Sequence, residues 1–386
     1  MRFVLIGPAY PLRGGISRFN ARLFRSLRSR GHTVLALNFR RQYPQILFPG
    51  RSQEDPSPPD EMLSAPRILD SVGPRSWFRT AQVAARFRPD AVVFHHWMPF
   101  FALAYGSVGA LVRRTCKAPI VWICHNLTPH ERQPFGRLLN KLGLRSAHGC
   151  VVMSEAVRQE LQALRRNIPH RLVAHPAEEF SALVDRFTAR RILGLPQGIP
   201  ILLFFGYVRA YKGLDILLQA VPLVLARRQV YVLVAGEFYE PREKYARLAR
   251  ELGVEQAVEM RDTFVPEGDV PLYLAACDAV VLPYRTATQS GIVPLAYAHR
   301  RPVVTTAVGG LPEVVKDGKT GVLASLPEPE NVAAAILRFL ELHDQVDWEG
   351  EIAAVRSSMS WERFVDALED LVRELDGRNV CGTSEA

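Results

Sequence analysis

Apolar runs of about five residues alternate along the chain with longer stretches whose apolar positions recur at helical spacing. Phe3–Gly7, Thr33–Asn38, Ala91–His95, Ile120–Cys124 and Cys150–Met153 predict one series of buried strands. Ile201–Phe205, Tyr231–Ala235, Ala257–Met260, Ala279–Leu282, Val303–Thr305 and Gly321–Ala324 predict a second series. Strand–helix–strand alternation implies parallel sheets covered by helices on both faces. The fold class is therefore α/β, with two Rossmann-like domains facing each other across a crevice. Ligands of such sheets bind at the carboxyl ends of the strands, so the functional residues should follow strands directly.

The breaks in the pattern suggest the domain boundaries. Phe187 to Pro200 holds Gly194, Pro196, Gly198 and Pro200 and reads as the linker. We expect a first domain at 1–187, a second at 188–358, and a C-terminal helix and tail at 359–386. Gln42 to Ser76 is rich in Pro, Ser and Asp without periodicity and reads as a long loop. Trp97 to Val112 falls short of the roughly 18 uninterrupted apolar residues that a membrane span needs, and reads as a helix buried within the fold. In the last stretch Trp361, Phe364, Val365, Leu368 and Leu371 share one helix face, which should pack back on the first domain.

Composition adds little except through charge. With 386 residues, 48% hydrophobic and 23% charged, the chain is globular and long enough for two cores. Its five cysteines form no CxxC pair, which argues against a metal cluster or a disulfide framework and for reduced thiols in the cytoplasm. Met1–Gly7 is too short an apolar run for a signal peptide and reads as a first strand. Residues 1–180 hold 26 Lys+Arg against 11 Asp+Glu, a charge of +15, whereas residues 181–386 carry −6. A basic first half suits an anionic partner: nucleic acid, a lipid surface or a phosphorylated substrate. Nucleic acid is disfavoured, because no recognition helix, zinc finger or aromatic single-strand pattern accompanies the charge.

Several strand-end loops carry candidate chemistry. Gly7 leads through Arg13-Gly14-Gly15 into a helix, where amide groups can approach an anion. The spacing is not GxGxxG, and a plain strand-to-helix turn is an equal reading. Phe205 is followed by Gly206-Tyr207-Val208-Arg209-Ala210-Tyr211-Lys212-Gly213. Arg209 offers a planar fork and Lys212 a compact charge, which is what a departing diphosphate requires. Gln289-Ser290-Gly291 and Gly309-Gly310 open two further helices.

Together these residues resemble glycosyltransferase family 4. Gly206-x-x-Arg209-x-x-Lys212-Gly213-x-Asp215 is similar to its donor-phosphate motif. So is Arg301-Pro302-Val303-Val304-x-Thr306-x-x-Gly309-Gly310-x-x-Glu313, through Asp317-Gly318-x-x-Gly321. Gly14-Gly15 and His125-Asn126 match the family's first domain, and the motifs appear in the family's order over nearly the whole chain. The resemblance implies the GT-B fold and a retaining, metal-independent transfer from a nucleoside-diphosphate sugar. It also implies that His125 contacts the donor sugar near the reacting carbon and that Glu313 lies near the donor. One departure stands out. The family's two glutamates, eight positions apart, fall here on Ala287 and Leu295, neither acidic. Gln289 and the Ser290–Gly291 backbone are candidates to take over the sugar contacts.

The remaining candidates follow strands too. Glu237, after Tyr231–Ala235, could bond a hydroxyl, and either Glu237 or Glu313 could equally be a helix-start carboxylate. His95 and His96 end a strand, and one of them is a candidate for the acceptor. No third ligand is spaced to make a zinc site with them. Arg137, Lys141 and Arg145, and the arginines around Trp77 and Phe78, form stripes suited either to anionic lipid or to plain solvation. The expected function is a retaining, hexosyltransferase-like glycosyltransferase in cell-surface glycan or glycolipid synthesis. Catalysis would rest on His125, Arg209 and Lys212. It would use no cofactor or metal and would act in the cytoplasm, peripheral to the membrane. A non-catalytic sugar-nucleotide or glycan-binding protein and a sugar-nucleotide epimerase remain open.

Overall fold

The computed structural model describes residues 1–48, 50–55, 63, 65–128, 135–177 and 184–381, without the side chains of Leu47 and 378–381. The chain divides into two compact units, Met1–His175 with Trp361–Ala386, and Pro176–Ser360. The strands of the first are β1 (Arg2–Ile6), β2 (Thr33–Arg41), β3 (Arg67–Asp70), β4 (Ala91–His96), β5 (Ile120–Cys124), β6 (Gly149–Val152) and β7 (His170–Leu172). Its first helices are α1 (Gly15–Ser29), α2 (Pro74–Arg86), α3 (Ala102–Cys116), α4 (Gly136–Gly143) and α5 (Glu155–Leu164).

The second unit contains β8 (Ile201–Phe205), β9 (Tyr231–Ala235), β10 (Val258–Arg261), β11 (Ala279–Leu282), β12 (Val303–Thr306) and β13 (Gly321–Ala324). Around them lie α6 (Arg186–Leu193), α7 (Leu214–Leu225), α8 (Arg242–Glu251), α9 (Val270–Ala276), α10 (Ile292–Ala298), α11 (Leu311–Val314), α12 (Pro329–Leu342) and α13 (Trp348–Arg356). The last helix, α14 (Trp361–Cys381), belongs to the first unit.

Both sheets are parallel throughout, in the orders β3-β2-β1-β4-β5-β6-β7 and β10-β9-β8-β11-β12-β13. Each has a switch point, between β1 and β4 and between β8 and β11, where the strand order reverses and the following loops diverge.

Alternation along the strands splits the first core in two. Val4, Val92, Phe94, Ile120 and Trp122 face Tyr105, Val108 and Val112 of α3. Phe3, Leu5, Val93, Val121 and Ile123 face Phe19, Leu23 and Leu27 of α1 and Phe364, Val365, Leu368 and Leu371 of α14. The apolar stripe read on the C-terminal helix thus closes one side of the first sheet. Trp97–Val112 likewise becomes a turn and the buried side of α3.

Two readings need correction. The proposed linker contains α6, capped by the Asp185 carboxylate accepting from the Thr188 amide at 2.9 Å and ended by Gly194. Its Arg190 is buried on Asp278 at 2.6 Å, and that carboxylate also accepts from the Ile201 amide at 2.6 Å. The Gly and Pro residues after α6 are a helix end and a tight connection into β8, not an interdomain tether. The stretch Gln42–Ser76 is not all loop, since it holds β3 and the start of α2. Its residues 49, 56–62 and 64 lie outside the described residues.

Candidate active site

The loop that carries Arg209 and Lys212, the expected diphosphate clamp, leaves β8 at Phe205. Gly206 bonds back to the β9 end through its amide on the Ala235 carbonyl at 2.9 Å. Val208 and Glu237 pair next, amide to carbonyl at 2.9 Å, so the loops after β8 and β9 run side by side. Arg209 then precedes a single turn, Ala210–Lys212, and Gly213 closes it in the left-handed region at φ 70°. A side chain at Gly213 would place Cβ 2.1 Å from the Pro283 carbonyl oxygen, so glycine is required there.

This turn points Lys212 inward. The residue is 8% exposed. Its Nζ lies close above Gly206, 3.4 Å from where a Cβ would sit, and 5.8 Å from the centre of the Tyr284 ring. No carboxylate pairs with it among the described residues. Burial, with the Arg209 guanidinium adding repulsion, pulls its pKa down to about 8. Arg209 packs over the Tyr239 ring at 5.2 Å. Two cations close together, one nearly out of water, are groups that could hold an anion.

The loop after β11 locks this turn in place. Arg285 holds Asp215 through both nitrogens, donates to the Ala210 carbonyl at 2.8 Å, and bonds the Tyr211 carbonyl through its own amide at 2.8 Å. Arg285 was not among the expected site residues, and its only sequence signal is a cation in a strand-end loop. Ser290 hydrogen-bonds the Tyr284 side chain and accepts from the Ile292 amide at 3.2 Å, opening α10. Gln289 and Gly291 flank it.

Gly309 and Gly310 serve the same loop. At φ 53°, Gly309 would set a Cβ 1.4 Å from the Ala287 carbonyl oxygen, and the Gly310 amide donates to that oxygen at 3.3 Å. The expected amide of Gly310 is therefore spent on Ala287, which is itself buried. No carboxylate stands at Ala287 or at half-buried Leu295. Glu237 is 2% exposed beside the clamp loop, and Glu313 lies in the first turn of α11.

The first unit brings three histidines to the ends of β4 and β5. Alternation sends His95 and His96 to opposite faces. His95 Nδ1 lies 3.2 Å from His125 Nε2, and the Phe19 ring meets both edge-on. Burial holds His95 at about 3 and keeps His125 well below the ordinary range, so both rings are neutral. His96 turns into the core against Trp122, with Nε2 2.9 Å from Asn140 Oδ1, while Asn140 donates to the Leu127 carbonyl at 2.5 Å. Neither His95 nor His96 has any exposed surface. The expected acceptor contact does not fit His96, which braces the loop after β5, and His95 orients His125 instead.

Gly14 caps α1, and the space beside Gly15 is open, with nothing within 4 Å of an added Cβ. Two asparagines missed by the sequence reading hold this loop. Asn38 accepts from the Ala9 amide at 3.0 Å and donates to the Ala9 and Tyr10 carbonyls, and Asn20 donates to the Pro8 carbonyl at 2.9 Å. The described residues contain no cluster of three or more His, Cys, Asp or Glu able to hold a metal ion. Cys116, Cys124, Cys150 and Cys277 are free thiols.

Two parallel sheets, each covered by helices and each with a switch point, are the architecture of the GT-B fold. The chain aligns with sucrose-phosphate synthase from Thermosynechococcus elongatus at a TM-score of 0.76 and 18% identity, covering 98% of this chain and 100% of that one. It aligns with Anabaena HepE in complex with UDP at 0.73 and 18%, covering 96% and 100%. At these identities the likeness speaks for the fold alone. Residues 199–342 match the family described as glycosyl transferases group 1, and residues 14–178 match the glycosyl transferase 4-like domain. A D-inositol 3-phosphate glycosyltransferase from Nocardioides sp. is 30% identical over 65% of this chain and 60% of its own length. A second from Catenulispora acidiphila is 30% identical over 78% and 75%. The chain belongs to the group 1 glycosyltransferases. By family it is thus a transferase.

Proposed function

We propose that this glycosyltransferase moves a sugar from a nucleoside-diphosphate sugar to an acceptor hydroxyl with retention at the anomeric carbon. The process served is the making of a cell-surface glycan or glycolipid at an anionic membrane surface. The observation that carries the donor assignment is Lys212, an almost buried ammonium beside Arg209 with no carboxylate partner among the described residues. A diphosphate supplies the missing negative charge. The UDP bound by the Anabaena neighbour supports the same class of donor.

In this reading the diphosphate leaves with the C–O bond electrons, held by Arg209 and Lys212. Positive charge builds on the anomeric carbon, and the acceptor hydroxyl attacks from the face the diphosphate leaves, passing its proton to the departing phosphate oxygen and giving retention. Charge stabilisation and positioning do most of the work. Two cations on the leaving group make a metal ion unnecessary. His125 offers a neutral imidazole to the sugar, and Glu237, Gln289, Ser290 and Glu313 offer hydrogen bonds where the family's two glutamates are missing.

A thermal-shift screen over nucleoside diphosphates and their sugars tests this, since a true ligand stabilises by mass action. The matching nucleotide should raise the melting temperature of the parent and have little effect on Lys212→Ala. A screen in which no nucleoside diphosphate shifts the parent refutes the donor assignment. The anomeric configuration of the product, read by NMR, tests retention.

A further inference from the structure

Three neighbouring helices over one face of the first sheet carry no carboxylate, whereas α5, on the same core, holds Glu155 and Glu160. α2, α3 and α4, with the turn Leu144–Ser146 that continues α4, hold eight arginine and lysine residues and neither Asp nor Glu. All eight are exposed, and none pairs with a carboxylate among the described residues. The helices form one layer, α2 against α3 and α3 against α4. The second contact is close, because a Cβ on Gly143 would lie 2.5 Å from the Ala102 carbonyl oxygen and one on Gly106 would lie 2.9 Å from Gly143 Cα. Arg113 of α3 reaches the Arg145 carbonyl at 3.4 Å.

Apolar side chains stand among these cations. Phe78 is 54% exposed, Leu138 53%, Leu103 46% and Leu142 37%. The opposite face of the sheet is built differently. α1 also carries four arginines and no acid, but it lies beside α14, which is rich in Asp and Glu. Arg30 after α1 pairs with Asp366, and His32 meets Glu369 at 2.8 Å. Uncompensated charge is therefore a property of the α2–α3–α4 face rather than of the whole unit.

We propose that the α2–α3–α4 face docks on the surface of an anionic bilayer, with its basic side chains on lipid phosphates and Phe78, Leu138 and Leu142 entering the interface. This names the surface for the membrane partner proposed above. A dissolved polyanion would engage the charges and leave the apolar side chains in water, whereas a bilayer interface accommodates both. Sequence spacing pointed to α2 and α4 as separate stripes. The fold joins them through α3 and shows that the arginines of α1 do not belong to the patch.

The test uses the whole chain and phosphatidylcholine vesicles with and without phosphatidylglycerol, read by co-sedimentation. The parent should bind only the anionic vesicles, less as salt rises. Arg137→Glu/Lys141→Glu/Arg145→Glu should weaken binding roughly tenfold or more. Phe78→Ser/Leu138→Ser should weaken it too, and the control Arg227→Glu/Arg228→Glu on the second unit should not. Equal partitioning to both vesicles, no binding to either, or equal loss in the control overturns the proposal. So does binding that survives Phe78→Ser/Leu138→Ser, which would mark a site for dissolved polyanions. A thermal shift with nucleoside diphosphates, run on the same variants, reads the donor site separately and should be unchanged throughout.

Discussion

Arg285 holds Asp215 with both ends of its fork, Nη1 to Oδ1 at 2.9 Å and Nη2 to Oδ2 at 2.5 Å, from a position 70 residues away in the chain. The pair ties the loop after β11 to the first turn of α7, and the Ala210 carbonyl joins the same guanidinium. The clamp turn lies between these fixed points. In the proposed reaction Arg285 would act on the leaving group through Arg209 and Lys212, as a positioning residue.

Arg285→Ala should lower turnover roughly ten- to a hundredfold, because a small misplacement of the clamp is costly. The pair is partly exposed, so stability should fall by no more than about 1 kcal/mol. Asp215→Ala should act alike, and the double variant should lose little more than either single one. Additive losses in turnover would show that the two residues do not act as a unit.

Arg209→Ala and Lys212→Ala should each cut turnover by roughly a hundredfold or more, and near-normal rates in both would refute the clamp. Lys212 also has a pH signature. Below about 8 it is charged in the folded and unfolded chain alike, and its burial works against folding. Between about 8 and the ordinary 10.5 the folded chain has released the proton that the unfolded chain keeps, so stability from this group rises with pH. Lys212→Met should therefore melt a few degrees above the parent at pH 7, with the gap closing towards pH 10, while remaining inactive. Thermal unfolding at the two pH values checks this.

The His95–His125 pair has a pH consequence of the same sign, in the acid range. Burial depresses both rings below the ordinary 6.5, so as pH falls below that value the unfolded chain takes up protons that the folded chain refuses. Stability should drop on acidification by about 1.4 kcal/mol per pH unit for each ring kept neutral. His95→Gln should flatten that slope between pH 6 and about 4. Activity should show no acid limb near 6.5 from His125, and a break there would mean that the imidazole titrates normally.

Activity should survive EDTA if Arg209 and Lys212 neutralise the leaving group as proposed. Loss with EDTA and recovery with magnesium or manganese would place a metal on the diphosphate and overturn that expectation.

The strands that cross the middle of each sheet were legible because burial on both faces writes them as unbroken apolar runs, as in Ile201–Phe205. β3 and β7 lie at a sheet edge, are short, and carry Arg67, His170 and Arg171, so no apolar run marks them. The sequence alone also showed Arg209 and Lys212, because their spacing follows directly on a strand. It could not show what grips them, since Arg285 meets Asp215 only when β8 and β11 become neighbours. In the same way the sequence presents His95 and His96 as equals, and only the strand's alternation sends one to His125 and the other into the core. Local pattern records which side of an element avoids water. Which element waits on that side is decided by chain closure over tens of residues, and the partners of the site's charges and histidines are set there.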